Sequence, residues 1–207
     1  KICTEIAETS MPGAGAKGWR AFLSVVNGPE GGPVHAIERV GEGPWVDRLG
    51  RPFAMNKAAL MHTRPEGADP TIVDDFPNED GIPNHSPDGT EIDNHDFLTG
   101  TNDQGRLYST DPAVTCKDWT SSVGGDGRPR VGHAWPRSIP GGGGGGGGTF
   151  PGFPDIDPEN WMSALDEAGC APGAEGTVGF DGPPNPFIQT VGSGGGYGGI
   201  YCFALMP

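Results

Sequence analysis

No stretch of this 207-residue chain approaches the ~20 consecutive apolar residues that a membrane-crossing helix needs. There is no C-x-x-C pair, which excludes a thioredoxin-like redox motif and disfavours a zinc ribbon. No Gly-x-Ser-x-Gly elbow occurs, so the commonest local signature of a serine nucleophile is missing. Cations are scarce: 13 Lys+Arg stand against 27 Asp+Glu, giving a formal net charge of −14 and a pI near 4.5. Such a surface repels nucleic acid and anionic membranes, so neither nucleic acid nor membrane insertion is expected. Apolar residues are scarce too, at 34%.

Glycine and proline are in excess, with 38 and 22 residues. Together with the thin apolar share they argue for a loop-rich fold on a modest core, and against a helical bundle. Glycine loses more backbone freedom on folding than any other residue, so a fold of this composition leans on covalent staples. Four cysteines are available: Cys3, Cys116, Cys170 and Cys202. An even count in a loop-heavy chain suits two disulfides better than four reduced thiols, and points to an oxidising, extracellular compartment. Four cysteines allow three connectivities, and the residues alone do not choose among them. Residues 1–10 lack the apolar core of a signal peptide, so an exported protein would be met here in its mature form.

Residues 1–10, KICTEIAETS, read as a short helix with Ile2 and Ile6 on one face. GWRAFLSVV, residues 18–26, is rich in aromatic and β-branched residues and reads as a largely buried strand. HAIERV, residues 35–40, fits a strand or a single helical turn, and Trp45 has the look of a core residue. AMNKAALM, residues 54–61, holds good helix formers, with Pro65 as a stop beyond it. Residues 97–122 read FLTGTNDQGRLYSTDPAVTCKDWTSS, a hairpin leading into a disulfide-anchored segment. Residues 102–105 supply its tight reversal, since Asx side chains bond their own backbone and glycine accepts positive φ.

Trp135 is expected to anchor a loop over residues 124–140. The eight glycines of residues 141–148 are followed by no lysine at P-loop spacing, so they read as a flexible loop and not as a phosphate cradle. Residues 192–199, GSGGGYGG, suggest a tight loop where backbones approach closely. GIYCFAL, residues 199–205, reads as a last strand. Beyond the glycine run, residues 161–170 and the terminal 198–205 are too slight for an independent core, so a single domain over residues 1–207 is expected, with a flexible glycine-rich loop at 140–149.

The order GWRAFLS, AIERV, PWV, FLTGTNDQGRL, TCKDWTS, a late cysteine and IYCFAL resembles the endostatin-like branch of the C-type-lectin-like domains, across nearly the whole chain. That branch includes the endostatin module of collagens and related bacterial extracellular domains. The resemblance implies an α+β fold with antiparallel sheets, one or two short helices, long loops and chain ends brought together. It also implies the nested disulfides Cys3–Cys202 and Cys116–Cys170. Some family features do not carry over. Collagen endostatin binds heparin through arginines, whereas this chain is acidic, and no histidine precedes His35 to form an N-terminal zinc site. The Glu-Pro-Asn and Trp-Asn-Asp motifs of calcium-dependent lectins are missing, with Ile82-Pro83-Asn84 only a partial echo.

Between residues 66 and 103 lie eleven acidic residues and no lysine or arginine. Asp74, Asp75, Glu79, Asp80 and Asp93 are the candidate calcium ligands there, since calcium accepts six to eight hard oxygens in flexible geometry. A solvated loop that aids solubility is the competing reading. His85 and His95 with Asp93 and Asp96 offer imidazole and carboxylate for a transition metal, at a spacing that matches no tight motif. His35, His62 and His133 carry no signal of their own. The function expected is a non-catalytic extracellular binding or adhesion module that recognises a protein or glycan through long loops. A structural subunit of a self-assembling extracellular array is the alternative, and a metal-dependent enzyme a more distant one.

Overall fold

A computed structural model describes residues 1–73, 76–84, 94–134, 157, 160–174 and 187–206. The fold is mixed α+β. Its right-handed α-helical segments are α1 (Ile2–Ser10), α2 (Ala36–Arg39) and α3 (Lys57–Leu60), with short 3-10 turns between elements. The strands are β1 (Trp19–Ala21), β2 (Trp45–Val46), β3 (Pro52–Ala54), β4 (Asp96–Leu98), β5 (Arg130–His133), β6 (Leu165–Asp166), β7 (Ala171–Ala174), β8 (Thr190–Gly192), β9 (Gly199–Ile200) and β10 (Cys202–Ala204). They form pairs β1–β10, β2–β3 and β7–β8, and one four-stranded sheet in the order β6-β5-β4-β9. Most pairs are antiparallel, as the resemblance implies, but β4–β9 and β7–β8 run parallel. Parallel neighbours need long crossovers: β4 and β9 are far apart in the chain, and β7 and β8, though consecutive, are separated by more than a short turn.

Cys3 is bonded to Cys202 and Cys116 to Cys170, one link enclosed by the other. The first bridge turns α1 about its axis. Cys3 and Ala7, one helical turn apart, face inward, and Ile2 is left 62% exposed. The apolar face read from Ile2 and Ile6 is therefore corrected: the cysteine, tied to β10, decides which side goes in. Next to it, β1 pairs with β10 in the register Trp19↔Ala204, Arg20↔Phe203, Ala21↔Cys202, so the two ends of the chain form one ladder.

The strand expected over residues 18–26 is regular only for its first part. After Phe22 N donates to Tyr201 O, Ser24 N turns to Thr99 O and Val25 bridges Val34, so the segment changes partner as it runs. Its buried side chains are Phe22 and Ser24. Residues 35–40 resolve into the helical turn α2. The helix expected over residues 54–61 is shorter, because Ala54 is held in β3 by pairing with Trp45. Asn56 then caps α3, its side-chain oxygen accepting from Ala59 N at 3.0 Å.

The apolar core draws on both sides of the glycine run. Trp161 lies at its centre, with Phe22 at 5.0 Å, Tyr201 at 5.2 Å and Phe53 at 5.6 Å between ring centroids. Trp45 packs edge-on against Phe203 at 5.3 Å. Both buried indoles place their N–H on a carbonyl, Trp161 on Leu60 O at 2.9 Å and Trp45 on Ala204 O at 3.0 Å. A small aromatic core of this kind contributes through area and offset ring contacts together.

The hairpin at residues 102–105 forms as its residues suggest. Asn102 Oδ1 accepts from Gln104 N and Arg106 N, Gly105 has φ 66°, and Thr101 bridges Leu107. Thr99 and Thr101 both donate their hydroxyls to Met162 O, at 2.6 and 2.8 Å, which ties the start of the hairpin to the core. Beyond the hairpin, Cys116, Lys117, Asp118 and Trp119 form a left-handed turn, with φ of 47°, 56°, 57° and 63°. Trp119 is half-buried and donates its indole N–H to Ser24 O at 2.8 Å. Trp135 and residues 140–149 lie outside the described residues.

Candidate functional site

The pairing of β4 with β5 sets Asp96 directly opposite His133. Facing residues of an antiparallel pair share one side of the sheet, so the register alone brings this carboxylate and imidazole together. His95, just ahead of β4, is held by its backbone: its carbonyl accepts from Ala134 N at 2.8 Å, while Asp96 N donates to Gly195 O at 3.0 Å. Gly195 lies against the His95 ring, so close that a β-carbon there would sit 2.6 Å from His95 Cε1. The tight loop expected at residues 192–199 is therefore the wall of this site. Its glycines are needed for close approach.

His133 Nε2 lies 2.8 Å and His95 Nε2 3.8 Å from Asp96 Oδ1, and the two rings meet at 86° with 4.6 Å between centroids. His95, Asp96 and His133 are 2%, 0% and 5% exposed. Asp96 is fully enclosed, with His133 and Glu167 as its side-chain partners.

Glu167, also 0% exposed, completes the group from the far edge of the sheet. Pairing of β5 with β6 in the register Arg130↔Asp166 brings it there, and its own N–H donates to Pro129 O at 2.9 Å. Buried Arg130 braces that edge, donating to Ser163 Oγ at 2.9 Å and to Asp166 Oδ1 at 3.2 Å. Glu167 Oε2 accepts from the Ser193 hydroxyl and from Gly194 N at 2.8 Å. Its other oxygen, Oε1, accepts no aligned bond and the carboxyl faces Asp96. Burial, reinforced by the charge of Asp96, pushes the Glu167 carboxyl well above the usual carboxylate range. Burial works against ionising Asp96 as well, but His133 and His95 outweigh it and hold that carboxyl below its ordinary value. Two neighbouring carboxyl groups are thus driven to opposite protonation states. Behind them the Tyr201 hydroxyl is buried, and burial raises its pKa. The arrangement can share protons among imidazole and carboxyl groups, or offer nitrogen and oxygen donors to a cation.

Of the residues singled out in the sequence, Asp74, Asp75, Asp93 and His85 lie outside the described residues. Glu79 and Asp80 stand exposed on a turn organised by Asn78, whose side-chain oxygen accepts from Asp80 N and Ile82 N. Among the described residues, the one His/Cys/Asp/Glu group whose donor atoms converge is His95, Asp96 and His133, all within 4.8 Å of one another. The structure therefore joins His95 and Asp96, which the sequence picked out, with His133, which it passed over, and sets Glu167 beside them. The missing signal was the strand register. Asp96 and His133 are far apart in sequence, and only their facing positions relate them.

No helix among the described residues is long and apolar enough to cross a membrane. No protein-family model matches the chain, and no curated protein or solved structure matches it significantly.

Proposed function

We propose that the protein is an exported, non-catalytic binding module of the C-type-lectin-like kind, which recognises a protein or glycan through loops projecting from a cross-linked base. The observation that carries this reading is the pair of enclosed disulfides, Cys3–Cys202 and Cys116–Cys170. Such links persist in oxidising compartments, and they serve domains whose apolar core is small. The β1–β10 ladder supports the same reading, because it brings both chain ends together into one base. The burial of His95, Asp96, His133 and Glu167 supports a non-catalytic role, since groups so enclosed do not meet a substrate without the sheet opening.

An array of extracellular-matrix proteins and glycans, probed with the disulfide-intact protein, tests the proposal. At least one ligand is expected to bind, with binding lost after reduction. A blank array from a chain that elutes as a large assembly on size exclusion would replace the proposal with the structural-subunit reading. Four titratable thiols in material from the native source would remove export altogether.

A further inference from the structure

We propose that His95, Asp96, His133 and Glu167 hold a single divalent transition metal, zinc by preference, as an internal tie between β4, β5 and the segment after β6. The reading begins from spacing. Zinc bonds nitrogen and oxygen at roughly 2.0–2.2 Å, so neighbouring donors of a tetrahedral site stand roughly 3.3 Å apart. The distances from Asp96 Oδ1 to the two imidazole nitrogens, 2.8 and 3.8 Å, bracket that value. The donors of His95, Asp96 and His133 are already close to ligand separation, and Glu167, facing Asp96, has to swing in to complete the set.

A second observation is independent of the first. Glu167 is fully buried, and only its Oε2 is fixed, by Ser193 and Gly194. Its Oε1 accepts no bond of its own and is left facing Asp96. A carboxylate pinned through one oxygen and presenting the other is the arrangement expected of an oriented ligand. Asp96 stands between the two, met by His133 Nε2 at 2.8 Å and faced by Glu167. Burying such groups is costly unless a charge or a donor meets them.

Charge selects the cation. Two carboxylates and two neutral imidazoles around a divalent ion sum to zero, which suits a site closed to water. Calcium is disfavoured here because it takes oxygen donors in larger number, and half of this set is nitrogen. A mixed imidazole and carboxylate set fits zinc, copper, iron or nickel. Zinc is favoured because it imposes no geometry of its own and its structural sites are closed by four protein ligands.

The test uses the full, disulfide-intact chain. Metal content is measured after expression with zinc and desalting; the chelator-treated protein is then titrated with Zn²⁺ while its melting temperature is followed, and with Co²⁺ while its visible absorption is followed. About one zinc per chain is expected, with a rise in melting temperature of at least about 5 °C at a hundredfold excess over Kd and a four-coordinate cobalt spectrum. His133→Asn and His95→Gln should abolish the cobalt spectrum, and Glu167→Gln should weaken zinc binding at least about tenfold. His62→Ala, on the surface beside Glu66, should change nothing. Near-UV circular dichroism identifies variants that fail to fold, and the titration of the unaltered protein decides the matter without them. Metal below about a tenth of an equivalent together with an unmoved melting curve overturns the site and leaves a proton-sharing cluster. Loss of metal in His62→Ala, or unweakened binding in Glu167→Gln, overturns this ligand set.

Discussion

The two disulfides brace segments of opposite hand. At one, Cys3 belongs to α1, an ordinary right-handed helix that lies against a ladder of the chain's two ends. At the other, Cys116 opens a left-handed turn in which four consecutive residues, none of them glycine, have positive φ. A left-handed residue costs roughly 1–2 kcal/mol, so the turn as a whole costs roughly 4–8 kcal/mol. Asp118 offsets much of this. Its carboxylate accepts from Val26 N at 2.6 Å, Asn27 N at 3.1 Å and the Asn27 amide at 3.2 Å, and bonds to a charged acceptor contribute about 1.5–3 kcal/mol each. The same covalent device thus does two different things. Around Cys3 it closes nearly the whole chain into a loop; around Cys116 it holds a conformation that local propensity opposes.

The comparison breaks most sharply at the bridges themselves. Replacing Cys3 and Cys202 by alanine opens a loop of sequence separation 199, and the chain-entropy relation puts the loss at about 5 kcal/mol. The Cys116/Cys170 pair, at separation 54, is worth about 4 kcal/mol on the same relation. Opening it also releases the left-handed turn, so the measured loss should fall clearly below that figure. Denaturant unfolding of the two double variants checks the order, and a larger loss at Cys116–Cys170 would show that the turn is not strained.

Next in size is Asp118→Ala, expected to cost about 2–3 kcal/mol because it leaves two backbone donors unanswered. This residue also sets a pH dependence. Burial works against its charge, but the donors from Val26 and Asn27 prevail and hold its carboxyl below the usual range. Its contribution is therefore full above the unfolded value of about 3.9 and is lost as pH falls through the lower folded value. Acid titration of the wild type and of Asp118→Ala should show curves that converge below pH ~4. Trp119→Phe removes the indole bond to Ser24 O and part of the ring that lies over Gly100, and should cost about 1–2 kcal/mol by thermal unfolding. Smallest of all, Ile2→Ser on the exposed side of α1 should change stability by no more than about 0.5 kcal/mol. A larger loss would restore the helix face first read from the sequence.

These regions also differ in how much of them the sequence discloses. The hairpin at residues 102–105 was legible because its determinants are local: one asparagine and one glycine at fixed offsets specify the turn. A disulfide framework was legible from cysteine count and composition, whereas its connectivity came only with the resemblance. The left-handed turn was not legible. In Cys-Lys-Asp-Trp only the aspartate takes positive φ at all readily, and the conformation of all four comes from distant partners, Val26 and Asn27, that meet Asp118 only in the folded chain. The buried ionisable group behaves likewise. His95 and Asp96 attracted notice as neighbours in an acidic segment, but His133 and Glu167 arrive through the registers of β4–β5 and β5–β6, which no periodicity encodes in strands this short. In a fold of two- to four-residue strands, side-chain chemistry at a site is a property of topology.

Gly132 is the facing partner of Phe97 in the central sheet, and a methyl carbon there would lie 1.9 Å from the carbonyl oxygen of Trp161. Even alanine would therefore push the neighbouring segment off the sheet, and with it the indole at the middle of the core. The glycine share that suggests looseness on a composition chart is, at this place, a demand for contact: what the gene specifies is the lack of a single carbon atom, and the least possible enlargement would be felt across the interior.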